Sequence, residues 1–158
     1  MKIILFLFLM LILPTTLYAN NVQEGINEGS KGNYRKSYKI LMPLAREGNA
    51  QAQSAVGYML SKGLGVKRNR ESAVYWYKQS ASQGNTTAQF NLGMAYVKGR
   101  GVRRNLIYAY MWWDIAASLG HKRALKNMNE VSRDLSGSEI RNAQKLAREC
   151  VRKKYKGC

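Results

Sequence analysis

Between Ala88 and Lys98 the apolar positions recur at three-to-four spacing, with Leu92, Ala95 and Tyr96 on one face, which predicts an amphipathic helix. Gly93 carries no side chain, so a second helix can approach closely there. Gly99 and Gly101 then break the pattern and permit backbone angles that other residues resist. A second helix is predicted from about Leu106 to Leu119, closed by Gly120, with small Ala109 and Ala117 bracketing large Trp112. Such a pair cannot bury its own apolar face alone, whereas stacked neighbours can.

The same arrangement stands 36 residues earlier. Ala52-Gln53, Gly57, Gly63-Leu64-Gly65-Val66, Asn69, Ala73, Trp76, Ala81 and Gly84 reappear as Ala88-Gln89, Gly93, Gly99-Arg100-Gly101-Val102, Asn105, Ala109, Trp112, Ala117 and Gly120. The register extends back through Ser37, Ala45 and Gly48 and forward to Ala124, too many aligned positions for chance. Full repeats are therefore placed at 52–87 and 88–123, and the expected fold is all-α: a solenoid of αα-hairpins with about eight helices in roughly four pairs.

The flanking units depart from the pattern. A degenerate first unit, about 20–51, has a short helix candidate at Val22 to Glu28, and Gly32-Asn33 replaces the longer glycine loop. Tyr34, Tyr38, Leu41 and Ala45 form the apolar face of its second helix, which Pro43 is expected to kink or end early. The C-terminal unit, 124–158, reads as a cap. Ser136-Gly137-Ser138-Glu139 spells a capping box before a helix whose buried stripe is Ile140, Ala143, Ala147, Cys150 and Val151. Leu106 to Trp113 is apolar all the way round, so it is either covered on both sides or leaves Trp113 exposed as a docking hot spot.

The N-terminus reads as an address. Lys2 precedes an unbroken apolar run from Ile3 to Leu13, Pro14 ends it, and Leu17-Tyr18-Ala19 resembles a cleavage site. That predicts a signal peptide over 1–19 and an exported mature chain from Asn20 with no transmembrane helix; the alternative is an uncleaved membrane anchor, against which the run is well short of the roughly 20 residues a bilayer requires. Export permits disulfides. Cys150 and Cys158 are the two thiols, and three arrangements stay open: a bridge pinning the tail, a link from Cys158 to another chain, or a buried free thiol at Cys150.

Charge adds a second surface. The chain carries 26 Lys plus Arg against 9 Asp plus Glu, a formal net charge of +17. Lys62, Lys67, Arg68 and Arg70 are followed one period later by Lys98, Arg100, Arg103 and Arg104, with no acid interrupting either run. Side-by-side loops would make these a basic ridge, and Arg148, Arg152, Lys153, Lys154 and Lys156 extend the positive field. Such a field attracts anionic envelope polymers or lipids and acidic proteins, or is simply a solvated face. Nucleic acid is not expected as a partner of an exported chain. Catalytic chemistry finds no constellation: the single His121 follows Gly120 in a repeat turn, and the carboxylates are scattered. No catalytic residue, metal site or cofactor is expected.

The motif series resembles the Sel-one-like repeat family, a relative of the tetratricopeptide repeats. The shared pattern reads here as Ala88-Gln89, Leu92-Gly93, Tyr96 and Gly99-Arg100-Gly101-Val102, with Ala73, Trp76-Tyr77, Ala81 and Gly84 supplied by the other copy. The resemblance covers about Tyr34 to Arg148. Asn69 and Asn105 stand where the family usually has Asp, and Val56 and Leu60 replace its Leu and Tyr. It implies a tetratricopeptide-like solenoid whose first helices line a concave face, which would carry Ser54, Tyr58, Ser61 and Lys62, then Phe90, Met94, Val97 and Lys98. Aromatic and Met side chains beside Lys suit an extended peptide. The alternative is that Phe90 and Met94 merely pack between repeats. The resemblance further implies a bacterial envelope setting, periplasmic or secreted, with a scaffolding, regulatory or host-contact role.

Overall fold

The computed structural model describes residues 21–158; the expected signal peptide, 1–19, lies outside them. Among the described residues there are eight α-helices and no strand. They are α1 (residues 21–30), α2 (Tyr34–Arg46), α3 (Ala50–Lys62), α4 (Arg70–Ala81), α5 (Thr86–Lys98), α6 (Leu106–Ser118), α7 (Lys122–Val131) and α8 (Gly137–Arg152), with a 3-10 turn at Ser132–Asp134. Each helix of the run α2 to α7 packs on the next, and α8 packs on α6, so the chain is a helical solenoid closed by its last helix.

One local device starts most of these helices. Asn49, Asn69, Asn85 and Asn105 each accept the backbone N–H three residues on, at 2.8, 2.9, 3.0 and 3.1 Å, which satisfies a donor the helix cannot. His121 takes the same role for α7, its Nδ1 accepting the Ala124 N–H at 3.2 Å. Because Asn85 caps, α5 begins at Thr86, two residues before the apolar pattern does. The capping box of α8 forms as the sequence predicts, Ser136 and Glu139 satisfying one another's backbone N–H. At the other ends, Gly63 and Gly99 close α3 and α5 with φ of 78° and 59°.

Packing between helices follows the period as well. A Cβ on Gly57 would lie 2.8 Å from the Tyr77 ring, and one on Gly93 would overlap the Trp113 indole. Leu41 occupies the same place against Gly25 in the first unit, where the loop between helices is shorter. The second glycine of each G-x-G-V loop makes a further contact: Gly65 lies against the backbone of Tyr34 and Arg35, Gly101 against that of Arg70 and Glu71. Each loop is thereby seated on the start of the preceding unit's second helix.

Three expectations are corrected. Trp113 is not an exposed hot spot: it is 3% exposed, and its indole N–H donates to the Phe90 carbonyl at 3.0 Å. The all-round apolar helix is covered because α5, α7 and α8 all pack on it. Val151 is not in the buried stripe of α8 but is 46% exposed; the chain turns back through Lys154 and Tyr155, both at positive φ, and half-buried Tyr155 packs on the core instead. Pro43 does not end α2, which continues to Arg46. The proline lies on the exposed side, where water can replace the hydrogen bond its ring cannot make.

Candidate functional site

The first helices of the two central repeats, α3 and α5, lie side by side, and a cavity of about 280 Å³ opens between their C-terminal halves. Tyr58 and Lys62 reach it from α3, Phe90, Met94 and Lys98 from α5, each set at helical spacing of four. Val97 does not line it. Its position falls on the flank of that stripe, where it packs against the core.

The floor is aromatic. Phe90 is nearly buried, its ring stacked on His121 at 4.7 Å and covered by the Arg123 guanidinium at 4.9 Å, so it is a wall of the cavity rather than a free anchor. Tyr77 lies beneath, 4% exposed, its hydroxyl donating to Ser61 Oγ at 3.3 Å. Burial pushes its phenol up to about 12, the Ser61 hydrogen bond partly opposing this. Tyr58 is the accessible aromatic, 46% exposed, with the Lys62 ammonium 5.9 Å above its ring.

Two surfaces that read as separate in the sequence meet here. Arg70 and Arg100, assigned to the basic ridge, line the same cavity as the groove residues. The seating of Gly101 on the Arg70 backbone brings them together. Lys67, Arg68, Arg103 and Arg104 stay outside on the exposed loops, Arg104 donating from Nε to the Val97 carbonyl at 3.1 Å. Sequence reasoning missed Arg123, which arrives from α7 and completes a lining of five cations with no carboxylate. Its signal was available: in the 36-residue register Arg123 follows Thr87, at the start of a groove-lining helix.

A second, wider hollow of about 710 Å³ continues from the first across the N-terminal halves of α3 and α5, sharing Tyr58 and Asn91 with it. Its lining holds amide and hydroxyl side chains, Gln51, Gln83, Ser54 and Thr87 among them, and no charged group. Two acids of the first unit are occupied elsewhere: Glu24 and Glu28 pair with Lys36, and Glu28 also with Lys31. Asp114 is half-buried on α6 and its carboxyl is raised by that burial, with Arg148 opposing.

At the C-terminus Cys150 and Cys158 are joined in a disulfide, and Tyr155, inside the loop it closes, lies 3.2 Å from where a Cβ on Gly84 would stand. Among the described residues no group of three or more His, Cys, Asp or Glu is placed to hold a metal ion. No helix of the described residues is long and apolar enough to cross a membrane.

Comparison with known proteins agrees with this geometry. The Sel1 repeat matches residues 50–85 and 86–121, which hold the observed helix pairs α3–α4 and α5–α6. A solved SLR-fold protein, a protective antigen present in uropathogenic Escherichia coli strains, superposes with a TM-score of 0.83 at 25% identity, covering 87% of this chain and 30% of its own. A Sel1 repeat protein from Oxalobacter formigenes gives a TM-score of 0.67 at 36% identity, covering 72% of this chain and 46% of its own. The chain thus spans less than half the length of either. No curated protein matches its sequence.

Proposed function

We propose that this chain, a helical solenoid carrying two Sel1 repeats, is a non-catalytic scaffold that holds a segment of another protein in the groove along α3 and α5. The observation that carries this reading is the continuous hollow over two adjacent repeats, with exposed Tyr58 at its centre and Met94 beside it. Apolar side chains there offer contact area without needing to refold, since their helices are packed and capped. The surrounding cations would speed encounter with an acidic partner. The Lys2 and Ile3-to-Leu13 pattern supports export, and on this reading the scaffold works in a bacterial periplasm or outside the cell as an adaptor or regulator of an envelope complex.

A second reading has one observation in its favour. Lys67, Arg68 and Arg103 form no ion pair among the described residues, so the loop ridge is free to meet anionic envelope polymers or lipids. A photo-crosslinking amino acid separates the two. Placed at Tyr58, it should trap one discrete protein in cells, whereas the same group at Tyr75, which is 54% exposed and outside both hollows, should not. Trapping from the loop position Arg103 alone, with none from Tyr58, would favour the ridge.

A further inference from the structure

Resting on that groove reading, we infer that the segment the groove takes is bipartite: acidic at one end, with two or three carboxylates around one apolar side chain, and uncharged at the other. The five cations of the smaller cavity, among them Lys62, Arg70 and Arg100, converge on about 280 Å³ with no acid in the lining. None of them enters an ion pair among the described residues. Like charges held that close repel one another, and a neutral occupant would leave the repulsion in place while excluding the water that screens it. A group of carboxylates relieves it, and arginine matches carboxylates with paired hydrogen bonds. Between the charges lie Tyr58 and Met94, which suit one apolar or aromatic side chain.

The other half of the groove has the opposite chemistry. Its lining is uncharged, with amide and hydroxyl groups that can bond a peptide main chain. A lipid whose headgroup filled the cationic end would leave the amide and hydroxyl groups of this half without partners, whereas a peptide main chain can bond them. The 13 residues of α3 make the groove about 20 Å long, room for roughly six extended residues. Polarity therefore sets direction as well as composition: the acidic end lies at the Lys62 and Lys98 ends of α3 and α5, the uncharged end at their Asn49 and Asn85 caps.

The test uses the full chain and three fluorescein-labelled ten-residue peptides at about 0.15 M salt. The first has three glutamates around one phenylalanine followed by a serine and asparagine half. The second replaces each glutamate with glutamine, and the third has the same composition as the first with the glutamates dispersed. By anisotropy the first should bind at least tenfold more tightly than either other peptide. The double variant K62S/R100S should lose that preference, while K153S/K154S, on the exposed tail, should keep it; circular dichroism checks that both fold. Equal binding of the glutamate and glutamine peptides overturns the inference and leaves the groove reading standing. Equal binding of the clustered and dispersed peptides also overturns it, since net charge alone then explains the attraction. If no peptide binds but phosphatidylglycerol vesicles do, both the inference and the groove reading fall.

Discussion

Gln53 and Gln89 stand one period apart, both buried, and each donates from its amide to the carbonyl that ends the preceding unit, Ala45 at 3.0 Å and Ala81 at 3.5 Å. Only Gln53 is satisfied on its other side, where Gln83 donates to its Oε1 at 2.9 Å. The residue one period after Gln83 is Leu119, and Gln89 Oε1 is left without a partner. Leu119 is itself 48% exposed, so it contributes little burial in return. Leu119→Gln should restore the missing donor and raise stability by about 1 kcal/mol, seen as a melting temperature a few degrees higher; an unchanged or lower value would mean the amide cannot reach. Tyr77 supplies a pH test. Its phenol, ordinarily near 10, is held at about 12, so the folded protein keeps this proton more tightly than the unfolded chain does. Its contribution to stability is fully present below about pH 10 and is lost as pH rises towards 12, at up to about 1.4 kcal/mol per pH unit. Denaturant titrations should show that slope, and Tyr77→Phe should flatten it; an unaltered slope would place the titration at burial-raised Tyr96 or Tyr38 instead.

The G-x-G-V loops hold successive helix pairs in register. At Gly101 φ is 75°, and an added Cβ would overlap the Arg70 carbonyl, so Gly101→Ala combines backbone strain with a clash. It should cost about 2–3 kcal/mol and also weaken peptide binding, since the same contact brings Arg70 and Arg100 to one cavity. Gly120→Ala, also at positive φ but with nothing near its missing Cβ, is the control: it should cost about 1 kcal/mol and leave binding alone. Equal binding loss in both would show that the loop seat does not position the cations. This contact also marks how far the sequence could be read. Helix pairs and the capping box at Ser136 are local patterns of period or spacing, and the groove stripe Phe90–Met94–Lys98 follows from the family resemblance, so these are legible without coordinates. Arg123 is legible as the residue one period after Thr87, whereas Arg70 beside Arg100 depends on how one unit is seated on the next, which no spacing encodes. Trp113 misleads for the same reason: its exposure is set by Gly93 across the interface, not by its own helix.

A solenoid is held mainly by neighbour contacts, so a local lesson need not spread. The C-terminal tail is an exception in this chain. The Cys150–Cys158 bridge closes a loop that places Tyr155 against Gly84, in the turn between α4 and α5, which reaches back past α6 and α7 to the first central repeat. The tail therefore ties the cap to the α4–α5 turn, and the bridge restricts the tail to that position. A loop this short gives at most about 2–3 kcal/mol by chain entropy, and since the tail can fray without global unfolding the effect should be mostly local. Hydrogen exchange distinguishes local from shared stability. In C150S/C158S, exchange should speed up in α8 and in the α4–α5 turn while α2 and α3 keep their protection. Tyr155→Ala, with the bridge intact, should speed the turn but leave α8 nearly unchanged. Uniform acceleration from α2 to α8 in the double variant would show that the helices open as one unit, with the bridge acting on all of them together. Faster exchange confined to α8 would show that Tyr155 carries no stability to the α4–α5 turn, and that the groove is held by its own helix packing alone.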